Sequence, residues 1–409
     1  MRGVSAGKEP KDMSGPLCGV RVLDMTAALS GPVATQILGD MGADVVKIEP
    51  PEGDSIRDLG PARHRGMGAM FLHTNRSKRS VVLDLKLADG RAAFMRLAQA
   101  ADVLICNTRP KAMARLGLAY EHVAALNPRI VYVNIVGYGQ GGSHADKPAY
   151  DDLIQAAAGI ASLRAPGEPA RYAPVALADR VTGICAANAT LGALYHRATT
   201  GQGQHVEVPM FESIASLVLA DHMAGLTFEP PIGPPVFQRY AAIRRPFRTQ
   251  DGFLCMMVLT DRQWREFFAT VGRPEVMDDP RFAKMASRTE NLEALYAIVS
   301  DILAARGTDD WVARLEAADI PVARIETMES LLAHPHLQQA GFFAMLDHPS
   351  EGRIRSMART STWSATQPGP TRPTPRLGEH SREVLQEAGF SDEEVQAMFA
   401  SGAAQGWKS

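Results

Sequence analysis

One carboxylate, Asp179, opens a long and almost wholly apolar helical pattern. It begins in Pro174-Val175-Ala176-Leu177-Ala178-Asp179-Arg180-Val181-Thr182-Gly183 and runs to Tyr195. An acid at a helix start has two readings. It caps free backbone N–H groups, where its charge also suits the helix dipole, or it stands ionised in a partly dry site as a nucleophile aimed at an electrophile. Basic groups gather in the same half of the chain: Lys47, Arg57, Arg63, Arg65, Arg76, Lys78, Arg79, Lys86, Arg109, Lys111 and Arg115. Several fall at strand ends, where an open α/β sheet meets its ligands and where Arg and Lys hold phosphates. Against a formal net charge of −2, that concentration points to a polyanionic small ligand; each residue taken singly reads as part of a solvated positive face. Arg244 and Arg245, ahead of Pro246, fit a substrate carboxylate or a surface salt bridge equally well.

Other chemistries lack their residues. The eleven histidines show no H-x-x-x-H spacing, and His334-Pro335-His336 is an i, i+2 pair around a proline, so no metal site is expected. No G-x-S-x-G elbow anchors a hydrolase triad. Glu49 closes the first βαβ unit as the ribose-binding acid of an NAD site would. The loop before the helix, Thr26-Ala27-Ala28-Leu29-Ser30-Gly31-Pro32, has one glycine where the dinucleotide fingerprint needs three, so NAD is not expected. The near-neutral charge gives no field that would recruit nucleic acid.

The elements that must position Asp179 alternate. Strand Val20–Met25 is followed by a helix from Val33 to Met41 and a strand from Ala43 to Glu49, with Pro32 suited to a first helical turn. Strand Ser80–Leu85, helix Ala88–Ala100, strand Asp102–Asn107, a helix near Tyr120–Leu126 and strand Ile130–Val136 continue the rhythm. Such alternation implies an α/β fold with a parallel, doubly wound sheet.

At 409 residues the chain exceeds one ordinary core, and the expected division is as follows: residues 1–15 a tail, 16–225 the first part of the large domain, 226–250 a linker rich in proline, 251–327 a smaller α+β domain, and 328–409 a linker and C-terminal part. With 45% hydrophobic and 22% charged residues the composition is that of a soluble globular protein. Cys18, Cys106, Cys185 and Cys255 form no C-x-x-C pair, which suits a reducing compartment, and the polar opening lacks the apolar core of a secretory signal; cytoplasmic placement is expected. Apolar stretches around Leu153–Leu163 and Val181–Leu194 are too short or interrupted to span a bilayer.

Taken in order, blocks of this chain resemble the class III CoA-transferases, a family that includes formyl-CoA transferase, carnitine CoA-transferase and the α-methylacyl-CoA racemases. The blocks are Gly19–Asp24 with Gly31-Pro32, Gly42–Glu49 with Gly53-Asp54, Asn75–Leu85, Asn107–Gly117, Leu126–Arg129, Gly137–Gln140, Pro148–Asp151, Thr200–Gln204, Asp279–Phe282 and Leu377–His380. The resemblance implies a Rossmann-like large domain built from both chain ends, a small domain from the middle, and a homodimer whose chains are interlocked. It places the nucleophilic aspartate on Asp179, which would attack an acyl-CoA thioester to give an acyl-aspartyl anhydride and then an aspartyl-CoA thioester. Coenzyme A contacts are implied at Ala27, Ala28, Leu83, Lys86, Asn107, Thr108, Arg109, Ala112 and Arg115, with Tyr150 and Met210 near the reacting end. Leu29 and Asp151 fall on the substrate side.

Departures narrow the substrate. Formyl-CoA transferase has a glutamine in its first-strand loop and a glycine run in a small-domain loop; here stand Leu29 and Pro234-Pro235-Val236-Phe237-Gln238-Arg239-Tyr240, which argues against oxalate and formate. Racemisation is the rival activity, and a carrier that only binds CoA esters is a third reading. The racemase branch has Gly-His-Asp where this chain has Ala149-Tyr150-Asp151. A phenol of ordinary pKa near 10 is a poor base at neutral pH, so transfer is preferred over racemisation, and the retention of Asp179 within the full set of blocks speaks against the carrier. Neither donor nor acceptor acid is specified, though Arg244 and Arg245 suggest a dicarboxylate exchanged with succinyl-CoA.

Overall fold

The structure is a computed structural model describing residues 15–164, 167–236, 245–358 and 360–407. Two compact units divide it. The first takes the chain up to Ala161, Tyr172–Leu219 and Ala340 onward; the second takes Ser162–Arg171 and Ala220–Gln339.

A seven-stranded sheet organises the first unit. Its strands are β1 (Arg21–Met25), β2 (Asp44–Glu49), β3 (Lys78–Leu83), β4 (Val103–Cys106), β5 (Val131–Val136), β6 (Gln204–Pro209) and, from the chain's end, a short strand Ala404–Gln405. The order is Ala404–Gln405, β3, β2, β1, β4, β5, β6, and all pairs from β3 to β6 are parallel. The expected all-parallel sheet is therefore corrected at one edge, where Ala404 and Gln405 run antiparallel to Leu83 and Val82. That pairing covers the β3 edge, which would otherwise present unpaired N–H and C=O groups. Strands buried on both faces read as continuous apolar runs, as in the fully buried β5.

Helices α1 (Ser30–Asp40), α2 (Ala69–Thr74), α3 (Ala88–Gln99), α4 (Pro110–Arg115), α5 (Tyr120–Leu126), α6 (Asp151–Ala157), α7 (Leu177–Thr200) and α8 (Met210–His222) follow in chain order. The strand order reverses between β1 and β4, and the crevice beyond the strand ends at such a reversal is where open α/β sheets take ligands. A two-stranded hairpin, Phe343–His348 with Gly352–Met357, also belongs to this unit; no strand is foreseen there from the sequence. In the second unit Phe247–Arg248, Phe253–Met256 and Val322–Arg324 form an antiparallel sheet. Leu254, Trp264, Phe267, Phe268, Leu295 and Val299 make its own core.

Candidate active site

The cleft at the strand-order reversal is assembled from strand ends. The β1–α1 loop contributes Ala27, Ala28 and Ser30; the turn after β4 contributes Asn107, Thr108, Arg109 and Pro110; the end of β5 adds Ile135, Val136 and Gly137. Ala149 and Tyr150 ahead of α6, Asp179 of α7 and Met210 of α8 complete a cavity of about 340 Å³. A neighbouring hollow of about 480 Å³ shares Arg109 and continues along α4 past Ala112 to Arg115.

The cleft wall is held from behind. The Asn107 side chain donates to the Ala27 carbonyl at 2.8 Å and accepts the Ala27 N–H at 3.0 Å. Asp54 accepts the Ala28 N–H at 3.1 Å, and its other oxygen takes Lys47 Nζ at 2.9 Å. Lys47 also donates to the Thr26 carbonyl at 2.7 Å. These bonds keep Ala28 at φ 62°, a left-handed backbone uncommon for a residue with a Cβ and tolerated where surroundings over-determine it.

Asp179 is the third residue of α7, and its half-buried carboxylate accepts hydrogen bonds from both the hydroxyl and the backbone N–H of Ser30, the first residue of α1. The capping reading is thus corrected in its object. Asp179 caps α1, whose own preceding residue, Leu29, gives no side-chain cap. Helix α7 is served by another acid: Asp151 accepts the Asp179 N–H at 2.9 Å. Asp151 is in turn gripped by Gln155, whose amide nitrogen donates to it at 2.6 Å while the amide oxygen accepts the Ala173 N–H at 2.8 Å.

Burial and then the Asp151 carboxylate push the Asp179 pKa up to about 6, against the Ser30 bonds and Arg180, which lower it. Burial therefore outweighs what the helix terminus and the Ser30 bonds do to favour the ionised form. At pH 7 such a group is still about nine-tenths ionised, and its raised basicity suits a nucleophile better than that of an ordinary aspartate.

The other expected residues divide. Ala27, Ala28, Asn107, Thr108, Arg109, Tyr150 and Met210 line the cleft, and Ala112 and Arg115 line the adjoining hollow. Leu83 does not reach it: both faces of β3 are covered, and its side chain is packed in the core. Lys86 is exposed beyond the end of β3 and lines neither cavity. Leu29 is half-buried and does not line the cleft. Arg244 lies outside the described residues, and Arg245 is an exposed residue of the second unit.

The basic cluster is corrected most. Lys47 pairs with Asp54, Arg57 with Glu49, Arg76 with Asp40, Lys78 with Asp24, and Arg79 with Asp44 and Glu387. These cations are buried and spent on internal acids. Burial alone would raise Asp24, but Lys78 and Lys47 hold it down at about 2. Arg109 and Arg115 remain open to a phosphate. Ser30 and Gln155 have no distinguishing sequence signal beyond Ser30 standing directly before Gly31-Pro32; Asp54 lies in the matched Gly53-Asp54 block. Among the described residues no group of three His, Cys, Asp or Glu side chains could hold a metal ion, and no helix is long and apolar enough to cross a membrane.

Residues 17–381 match the model of CoA-transferase family III, and the chain belongs to that family and is a CoA-transferase. It is 35% identical to a succinate–glutarate CoA-transferase of Agrobacterium fabrum, over 91% of this chain and 95% of that one. It is 30% identical to a formyl-CoA:oxalate CoA-transferase of Escherichia coli, over 94% of this chain and 99% of the relative. A crystal structure of a CAIB/BAIF family protein from Brucella suis superposes with a TM-score of 0.78 at 30% identity, covering 92% of this chain and 100% of that chain.

Proposed function

We propose that this enzyme moves coenzyme A between carboxylic acids through covalent intermediates on Asp179, with a dicarboxylate as acceptor. The observation carrying this reading is the Asp179 carboxylate, oriented by Ser30 at the floor of the cleft. A carboxylate oxygen attacks the thioester carbonyl of the donor; the C–S bond breaks, leaving an acyl-aspartyl anhydride and CoA thiolate. The thiolate then attacks the aspartyl carbonyl of the anhydride, releasing the donor acid as carboxylate and leaving an aspartyl-CoA thioester. The acceptor carboxylate attacks that thioester to give a second anhydride and thiolate. The thiolate attacks the acceptor's acyl carbonyl, and product acyl-CoA leaves with Asp179 free. No net proton is consumed, so the site needs positioning more than acid–base chemistry.

In this reading Ala27, Ala28, Asn107, Thr108, Arg109, Ala112 and Arg115 hold coenzyme A, the two arginines facing its phosphates. Tyr150 and Met210 flank the thioester. Tyr150, which is 72% exposed, stands where the racemase branch has its histidine. The dicarboxylate choice draws support from the Agrobacterium relative's name, succinate–glutarate. The working unit proposed is the interlocked homodimer, which light scattering checks, in a reducing compartment such as the cytoplasm.

The test is chemical trapping. Protein incubated with succinyl-CoA and then hydroxylamine should yield a hydroxamate at Asp179, located by peptide mass spectrometry, and Asp179→Asn should yield none. Wild-type protein that gives no hydroxamate with any thioester tried refutes the covalent mechanism.

A further inference from the structure

Two lysines border the cleft and its adjoining hollow, and they are partnered differently. Lys111, on α4 in the hollow, forms an ion pair with Asp146. Lys147 lines the cleft that holds Asp179, and among the described residues it forms no ion pair. Its side-chain nitrogen lies 2.8 Å from Nε2 of His144 instead. An ammonium and an imidazolium have no acceptor between them, so at this distance one of the two is neutral and a single proton is shared. The imidazole is held in place for that exchange. Its ring meets the Tyr138 ring edge-on with 5.3 Å between centroids, and Tyr138 is buried.

Lys147 is exposed, so its amine is accessible, and it stands three residues before Tyr150, which lines the same cavity. That cavity is only about 340 Å³, and an acyl group bound in reach of Asp179 fills a space whose wall includes Lys147. A deprotonated lysine amine attacks activated carbonyls, and confinement beside one stands in for a high concentration of it.

We propose that Lys147 is a self-acylation site, which takes the acyl group of bound acyl-CoA when no acceptor acid claims it. The inference rests on the reading that acyl-CoA occupies this cleft. The Lys147 ammonium gives one proton to His144 Nε2. The free amine attacks the thioester carbonyl, an N–C bond forms as the C–S bond breaks, and a second nitrogen proton leaves with the thiolate as the coenzyme A thiol. A succinyl donor replaces a cation by a carboxylate on the wall of a site for a polyanionic ligand, so the acylated enzyme binds acyl-CoA less tightly.

Full-length protein incubated with succinyl-CoA and no acceptor, then treated with hydroxylamine and digested for peptide mass spectrometry, tests it. Hydroxylamine cleaves aspartyl anhydrides and thioesters but leaves a lysine amide, so both sites are read in one digest. Lys284, exposed in the second unit and lining neither cavity, is the reference for unassisted surface acylation. Lys147 should be succinylated about tenfold or more faster than Lys284, added free coenzyme A should suppress labelling of Lys147 and not of Lys284, and His144→Gln should slow it. Asp179→Asn should lose the hydroxamate and keep the Lys147 amide, because the donor is the thioester itself. Labelling of Lys147 no faster than of Lys284, or at a rate that neither coenzyme A nor His144→Gln lowers, overturns the proposal. A hydroxamate at Asp179 without a Lys147 amide overturns self-acylation alone, and the reverse result in wild type overturns the Asp179 mechanism alone.

Discussion

Asp151 Oδ1 lies 2.9 Å from the backbone nitrogen of Asp179, so one carboxylate caps the helix that carries the other. The same contact has two opposite effects. It satisfies a free N–H in the first turn of α7 and fixes the Asp179 backbone, while its negative charge raises the Asp179 pKa. Gln155, fully buried, fixes Asp151 and the segment at Ala173 together.

The pH dependence of acyl-enzyme formation should report this pair. Its rate should rise with pH through about 6 as Asp179 ionises. Asp151→Asn keeps an oxygen for the Asp179 N–H but removes the repelling charge, so the midpoint should move to lower pH. Single-turnover kinetics across pH 4–8 measures both midpoints, and coincident values would show that Asp151 does not tune the nucleophile.

Asp179 should also cost the enzyme stability. Its folded pKa, about 6, lies above the ordinary carboxylate value of 3.8, so the folded state binds the proton more tightly than the unfolded state and stability falls as pH rises from about 4 to 6. Asp179→Asn should abolish activity and yet stabilise the protein by about 1–3 kcal/mol at pH 7.5 and by little at pH 4. Urea denaturation at the two pH values gives the comparison.

Gly183 sets the approach of α1 to α7. A Cβ there would stand 2.7 Å from the Ser30 carbonyl oxygen and 2.9 Å from the Val33 side chain, and the backbone oxygen moves only if α1 moves. Gly183→Ala should therefore destabilise the fold by about 1–3 kcal/mol. It should also slow acyl-enzyme formation at saturating acyl-CoA, because Ser30 is displaced from Asp179. Thermal unfolding and the saturated single-turnover rate separate the two effects.

The buried Lys47–Asp54 pair offers a test of the cleft wall. Asp54→Ala leaves the buried Lys47 ammonium without its ion-pair partner, a change worth about 3–5 kcal/mol. The double variant Asp54→Leu with Lys47→Met should recover much of that stability. It should not recover the KM for acyl-CoA, because the Ala28 N–H and the Thr26 carbonyl have lost their partners. Recovery of both would show that the pair only supports the fold.

Much of the large unit is legible along the chain. Strands β1, β2, β4 and β5 and helices α3 and α5 fall where β-branched runs and 3.6-residue spacing place them. The hairpin at Phe343–Met357 was not legible, since its exposed strands, Phe-Ala-Met-Leu-Asp-His and Gly-Arg-Ile-Arg-Ser-Met, carry a weak apolar alternation. The cleft residues after β1 and β4 were recognisable from matched blocks, and Asp179 from its solitude in an apolar helix. Ser30 and Gln155 were not, because a serine at a helix start and a glutamine inside one are ordinary.

By itself the sequence determined the βα rhythm, the family and the position of Asp179, because these depend on local spacing and ordered motifs. Tertiary structure decided which charges are available. Lys78 on β3 and Asp24 on β1 lie two strands apart in the sheet, Lys47 meets Asp54 across a turn, and Arg79 meets Glu387 from the far end of the chain. It likewise decided that Asp179 caps α1 while Asp151 caps α7. Charge pairing and pKa depend on distances through space and on exclusion of water, and neither is encoded in the period of the residues that carry the charges.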